Sequence, residues 1–317
     1  MATLPTMEKL TVLPVPGFGA EDVVLDDSGV ASTGTEDGSV FAIADGGRRI
    51  DLVARTGGRP LGLELLGDGR LLVCDGNRGL LAVHPSGHPD RLRDGRPDVL
   101  VGTVHGRRMR FCNNAAVQSN GDIWFTDSSR FYGVDKWEAD LVEDTRSGRL
   151  LRRSADGGVE VVLAGLRFCN GVALAADESF VAVAETAARR VVRHWLSGPA
   201  AGTTDTLADD LPGYPDNISR GSDGLVWVAV ASPTDRVLER LMRAPMPLRR
   251  VAWRLPEPAR PKPKRTVRVM ALAADGSVVH DRALPADGFH MVTGVREHHG
   301  RVWLSSLHEP AVAHFDL

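Results

Sequence analysis

Cysteine is scarce in this chain of 317 residues: Cys74, Cys112 and Cys169 are the full complement. Three thiols with no CxxC pair are too few for a disulfide framework and lack the spacing of a zinc site, so a reducing compartment, the cytoplasm, is expected. Neither sign of charge dominates. Lys and Arg number 38 against 41 Asp and Glu, for a net charge of -3, with a sequence pI near 6.4. No global basic field is available for nucleic acid. Long apolar runs are also missing, and the first residues, MATLPTMEKLTVLPVPGFGAEDV, contain no apolar leader core. A membrane span needs about 18 or more such residues together, so no membrane partner is expected. No GxSxG elbow, P-loop or GxGxxG fingerprint occurs, which disfavours serine-hydrolase and nucleotide chemistry. What the chain does have is 43% apolar and 25% charged residues, the profile of a folded protein with a sizeable core.

Glycine and proline are plentiful, at 34 and 19, together about 17% against a background of roughly 12%. Most fall between short alternating segments: VVLDDSGVAS, LELLGDGRLLVCD, AAVQSNGDIWFTD, VALAADESFVAVAE, ISRGSDGLVWVAV and VREHHGRVWLSS. Each reads as strand, tight turn, strand. Superimposed, the six hairpins place their second turn residue at Gly29, Gly69, Gly121, Glu178, Gly224 and Gly300. A recurring unit of roughly 40 to 50 residues with four strands is the signature of a propeller blade. The fold class is therefore all-β, one six-bladed β-propeller over residues 1–317, with the N-terminal segment closing the last blade. Trp124, Trp227 and Trp303 share one register and are expected between blades, where Leu72, Val181 and Ser32 hold the equivalent places. Two insertions interrupt the rhythm. FYGVDKWEADLVEDTRSGRL reads as partly helical. The segment 233–265 carries Val237, Leu238, Leu241 and Met242 at helical spacing before a Pro-rich stretch and the basic run ARPKPKR, and it reads either as a solvated excursion or as a lid over one face.

The innermost strand of every blade runs beside the central channel, so residues at one offset from the turn should face that channel at similar depth. Eight residues before the turn stand Glu21, Leu61, Asn113, Asn170, Asp216 and Val292. Each Asn or Asp alone would be an ordinary turn cap. Two carboxylates and two amides at equivalent depth are costly to bury unless they share hydrogen bonds or a cation, and an all-oxygen set suits a hard ion, Ca²⁺ more than Mg²⁺. Side chains alternate along a strand, so the row two residues earlier faces the same way nearer the mouth: Gly19, Arg59, Phe111, Phe168, Tyr214 and His290. That collar suits a small ester, with Arg59, Phe111, Phe168 and Tyr214 as substrate contacts and His290 as a proton shuttle. Cys112 and Cys169, in matching RFCN runs, should point away from the channel as small hydrophobes.

The motifs GRPLGLELLGDGRLLVCDGNRGLL, NGDIWFTDSSRF, SGRLLR, CNGVALAADESFVAVAET, GYPDNISR and WVAVASP occur in order. Together they resemble the strictosidine synthase-like branch of the superfamily that contains senescence marker protein 30, gluconolactonases and paraoxonases, especially the adipocyte plasma membrane-associated proteins. The resemblance covers about residues 15 to 317. It implies a six-bladed propeller with an axial Ca²⁺ that hydrolyses lactones, aryl esters or organophosphates, with Glu21, Asn113, Asn170 and Asp216 as ligands and Asn217 as a fifth. Departures matter. Asn113-Asn114 replaces the Asn-Asp of many relatives, which argues against a second structural ion using Asp22. Leu61 replaces the paraoxonase catalytic histidine, and Thr293 falls where the alkaloid-forming synthases carry their catalytic glutamate. The reading is a Ca²⁺-dependent hydrolase of small carboxylic esters or lactones, with Asp216 and His290 as catalytic groups, a small-molecule substrate and no nucleic-acid partner. A lyase or cyclase on the same scaffold and a non-catalytic binding propeller are the alternatives.

Overall fold

The computed structural model describes residues 9–84, 97–253 and 263–317. The six hairpins become the inner halves of six four-stranded antiparallel sheets arranged as a β-propeller. Their innermost strands are Val23–Leu25, Pro60–Leu65, Cys112–Val117, Cys169–Leu174, Gly213–Arg220 and Val292–His298. Closure is as expected: the strand Thr11–Pro14 pairs antiparallel with Ala311–Asp316 of blade six, Thr11 opposite His314 and Pro14 opposite Ala311. The N-terminal strand therefore supplies the outermost strand of blade six and ties the two ends of the chain into one sheet. All six turn residues named above have positive φ, from 55° at Glu178 to 88° at Gly121. Glycine meets that demand at no steric cost in five blades, and Glu178 accepts the strain in the other.

A single central core is replaced by six clusters, one in each gap between neighbouring blades. Blades four and five share Phe180, Ile218 and Val228; blades five and six share Trp227, Phe289 and Val302. Trp124 and Trp303 are likewise buried between sheets, with Leu72, Val181 and Ser32 buried at the equivalent sites. The three cysteines are free and buried; Cys112 and Cys169 face inter-blade clusters.

A seventh cluster belongs to no gap. It gathers Leu61, Phe111 and Phe168 from the channel mouth with Leu141 and Met242 from the insertions. The first insertion forms helix α1 (Trp137–Glu143), and the second forms α2 (Arg236–Arg243) and α3 (Met246–Trp253). Asp235 caps α2, accepting from the Val237 and Leu238 amides at 2.8 and 3.0 Å, which satisfies two of the otherwise orphaned first-turn donors. Glu239 then ties α2 to the blades, accepting from the Tyr214 hydroxyl at 3.0 Å and lying 3.5 Å from Arg189. Leu238 and Met242 face inward as their spacing suggested, whereas Val237 is 62% exposed. Most of the Pro-rich stretch and the start of ARPKPKR, at 254–262, lies outside the described residues.

Candidate functional site

Inner strands can approach the axis closely only where side chains allow it. A Cβ on Gly171 would stand 2.0 Å from the Ile218 amide nitrogen, and one on Gly62 would stand 2.6 Å from the Asn113 carbonyl oxygen. Glycine next to the row of oxygen donors is what lets neighbouring strands bring those donors together. An axial pocket of about 40 Å³ results, lined by Glu21, Asn113, Asn170 and Asp216, with Leu61, Phe111, Phe168 and Thr293 among its walls.

The hydrogen bonds of this ring leave a consistent pattern. Asn113 donates its amide to Ser128 Oγ at 2.8 Å, Asn170 donates to Thr186 Oγ1 at 3.4 Å, and Asn217 donates to Glu21 Oε1 at 3.2 Å. Each amide nitrogen is therefore occupied by a neighbour. The opposite atoms, Oδ1 of Asn113, Asn170 and Asn217 together with Oε2 of Glu21, are buried with no protein partner. Leaving four buried acceptors unpaired is expensive, and an acceptor-only set of this kind fits a hard cation. Among the described residues no three His, Cys, Asp or Glu side chains group as ligands, because amides supply most of this ring.

Electrostatics point the same way. Burial pushes the Asp216 carboxyl up to about 7, opposed by hydrogen bonds from Asn170 and the Asn217 backbone. Glu21 is raised well above the usual range by burial and then by the charges of Asp216 and Asp22, with Arg59 opposing. Two acids that resist ionisation when the site holds only protein would be relieved by a cation between them. Burial raises the neighbouring Asp22 as well, to about 6, but its hydrogen bonding and that of Asn114 differ from the ring's. Asp22 Oδ2 accepts from the Leu63 amide at 2.9 Å and from Asn114 at 3.3 Å, and Asn114 Oδ1 accepts from the Val172 amide at 2.9 Å. That pair satisfies itself and offers no orphaned oxygen.

The expected collar is only partly assembled. Phe111 and Phe168 meet edge to face, ring centroids 5.4 Å apart, and wall the axial pocket. Arg59, expected as a substrate contact, lines neither this pocket nor the cavity under the helices; it is buried and donates to the Gly19 carbonyl at 2.9 Å. Tyr214 lines a second cavity of about 100 Å³ under the helices, with Trp137, Leu141, Leu238, Leu241 and Trp253 as apolar wall. Asp216 is the one carboxylate that faces both spaces. His290 is not brought in: it lines neither, and its ring is held by Glu309 through Nδ1 and lies 3.1 Å from Arg265 through Nε2. The cause is a register slip. Blade six turns between His298 and Arg301, a tighter hairpin than the Leu65-to-Leu71 turn of blade two, so counting back from Gly300 overshoots by one. Met291, with the positive φ that Phe168 has in blade four, takes the collar place. Thr293, and not Val292, reaches the axis, its Oγ1 donating to the Glu21 carbonyl at 2.7 Å. Ser128 and Thr186, which orient the amides, escaped sequence reasoning because they lie on second strands or beyond, outside the counted row. Trp137 escaped because an insertion has no register.

A strictosidine synthase family model matches residues 113–199, the stretch that carries two of the ring asparagines. The adipocyte plasma membrane-associated protein of Gallus gallus is 33% identical over 94% of this chain and 75% of its own length. Strictosidine synthase-like 10 of Arabidopsis thaliana is 34% identical over 82% of this chain and 70% of its own. Among solved structures, a gluconolactonase from Xanthomonas campestris superimposes with a TM-score of 0.70 at 17% identity, covering 98% of this chain and 90% of that one. The calcium-binding protein regucalcin of Agrobacterium tumefaciens gives 0.66 at 13%, covering 98% and 95%. With motifs, propeller and whole-length similarity in agreement, the chain belongs to the strictosidine synthase-like family that includes the adipocyte plasma membrane-associated proteins, on a scaffold shared with the gluconolactonases.

Proposed function

We propose that this protein is a calcium-dependent hydrolase of small carboxylic esters or lactones. The observation that carries the reading is the set of four buried, partnerless oxygens on Glu21, Asn113, Asn170 and Asn217, beside Asp216 and beneath an apolar mouth. The names of the superimposable gluconolactonase and regucalcin support the substrate class and the ion by analogy. Glu21, Asn113, Asn170, Asp216 and Asn217 would hold Ca²⁺. When bound, the ion supplies a Lewis acid for the substrate carbonyl and a lowered pKa for water.

The protein's own contribution starts with exclusion of bulk water by Phe111, Phe168 and the helix cap, which strengthens every charge interaction within. The apolar cavity beside Asp216 receives the acyl or alcohol portion. Asp216 is the proton acceptor: one of its carboxylate oxygens takes the proton of the attacking water, from a position open to both spaces. Ser128 and Thr186 fix the amide orientations, so the geometry is set before substrate arrives. His290 has no step in this scheme. The test is hydrolysis of phenyl acetate and of a small lactone by protein stripped of metal and then resupplied with Ca²⁺. Activity that appears only on resupply, and is lost in Asp216→Asn, supports the reading. Equal turnover by rigorously calcium-free protein overturns it.

A further inference from the structure

The axial ring gathers acceptor oxygens, and beside it the chain gathers the opposite charge. An open cleft of about 1320 Å³ lies against blade three, between two connections. One is the hairpin of Thr103–Val104 with Arg107–Arg108, on the way from blade two to blade three. Its two-residue turn, His105-Gly106, has positive φ at both positions, 50° and 72°, the backbone of a tight hairpin. Arg107 and Arg108 follow that turn directly, and both line the cleft. The other connection is the stretch from Arg130 to Lys136 that leads into α1. The cleft shares no lining residue with the axial pocket or with the cavity under the helices, so it is a separate site.

Six cations line it, Arg107, Arg108, Arg110, Arg130, Lys136 and Arg149, against two carboxylates, Asp127 and Asp135. Asp127 is buried and already paired with Arg149. Arg108 donates to the Asn77 carbonyl at 2.7 Å, but among the described residues none of Arg107, Arg108, Arg110, Arg130 and Lys136 forms an ion pair. The acids of the neighbouring connections are engaged elsewhere. Asp75 accepts from the Arg59, Asn77 and Arg78 amides, and Asp140 accepts from Ser129 and Thr145. Glu143 lies 3.4 Å from Arg250, and Asp144 lies 3.2 Å from Arg146 and 2.8 Å from Arg167. Five cations therefore face Asp135 alone, and Nε of Arg149 is buried with no acceptor. Like charges gathered in this way repel unless an anion sits among them, and a buried donor left unpaired is costly.

We infer that this cleft binds a small soluble organic anion carrying two or more phosphate or carboxylate groups. Guanidinium forks match the paired oxygens of both groups. The forks come from two separate connections, so two anionic groups on one molecule are needed to engage both. The carbon frame between those groups meets apolar lining from Phe131, which is 61% exposed, and from Val161 and Ala164 of an outermost strand. Nucleic acid is the poorer occupant, because the cations are confined to one cleft on one blade and the chain as a whole carries a net charge of -3.

The experiment is titration calorimetry of the full chain, with Ca²⁺ present and at about 0.15 M salt, using glucose 1,6-bisphosphate and, as the singly phosphorylated control, glucose 6-phosphate. The bisphosphate should bind one per chain and at least about ten-fold more tightly than the monophosphate. Arg107→Gln and Arg130→Gln, one from each connection, should each weaken it about three- to ten-fold. Arg193→Gln on blade four should change nothing, and neither should Glu21→Gln in the axial ring. Equal affinity for the two sugars, no binding, or arginine variants that bind as wild type does would overturn the inference. So would loss of binding in Glu21→Gln, which would seat the phosphate on the axial ion, or tighter binding of a hexaglutamate peptide. The wild-type comparison of the two sugars stands even if a variant folds poorly, and because no readout is hydrolysis, its outcome is independent of the proposed activity.

Discussion

Asp216 gives the sharpest test of the axial ring, because the cost of ionising it can be read as stability. Its carboxyl moves from an ordinary 3.8 to about 7 in the folded, metal-free protein. A raised folded pKa means that the native state holds a proton the unfolded chain has released. Its stabilising contribution is then complete below about pH 4 and is lost as pH rises through about 7. At about 1.36 kcal/mol per pKa unit, the whole effect is about 4 kcal/mol, of which about 3 kcal/mol falls between about pH 5 and pH 8. Unfolding entropy near 2.1 cal/mol/K per residue over 317 residues converts that loss to a Tm lower by about 4 to 5 °C. Glu21, raised by burial and by Asp216 itself, adds in the same direction.

The assay is thermal unfolding of metal-stripped protein across that range, beside Asp216→Asn and beside wild type with excess Ca²⁺. Three histidines held below their ordinary pKa by burial, His194, His308 and His314, oppose the trend. The Asn variant carries the same histidines, so the wild-type minus variant difference cancels them and reports Asp216 together with its effect on Glu21. That difference should shrink with rising pH in stripped protein. With Ca²⁺ present the gap between loaded and stripped wild type should widen over the same range, since a cation favours the ionised form. A stripped wild type whose Tm tracks the variant at every pH would refute the reasoning, and so would a calcium effect that is largest at low pH.

Ser128→Ala should keep the fold and weaken Ca²⁺ affinity about 10- to 100-fold by calorimetry, because it frees the Asn113 amide without touching a donor oxygen. Glu21→Gln removes the partnerless carboxylate oxygen and should abolish measurable Ca²⁺ binding, while circular dichroism stays that of the propeller. Phe168→Ala should raise KM for aryl acetates with kcat little changed, and should cost about 3–5 kcal/mol of stability in denaturant titration as a large buried ring. Gly171→Ala should lower stability by at least about 1–3 kcal/mol, since its Cβ meets the Ile218 backbone and not a side chain that can move.

Legibility in the sequence follows from geometry that repeats. Six turns needing positive φ put glycine at five equivalent places, and that one residue type in register gave blade number, inner strands and closure. The donors Glu21, Asn113, Asn170 and Asp216 were readable for the same reason, since a fixed count from a fixed turn lands at a fixed depth. The count works only while hairpins have equal length. Blade six closes one residue sooner, and a period-two strand turns an error of one into a change of face, which moved attention from Met291 and Thr293 to His290 and Val292.

The insertions had no such ruler. Helical spacing located α2, but spacing is silent about which neighbour the apolar stripe will meet. Leu238 and Met242 found the channel mouth while Val237, one step around the same helix, was left in water. Ser128 and Thr186 show the complementary limit. A hydroxyl that hydrogen-bonds an asparagine amide is common in any fold, and it acquires meaning only once two such bonds and the Asn217 bond to Glu21 leave three amide oxygens and one carboxylate oxygen with nothing to accept from. In this propeller the ligand row could be counted along the chain. The orientation that makes it a ligand row comes instead from contacts outside the counted row, within one blade for Asn113 with Ser128 and Asn170 with Thr186 and between blades, across 196 positions, for Asn217 with Glu21.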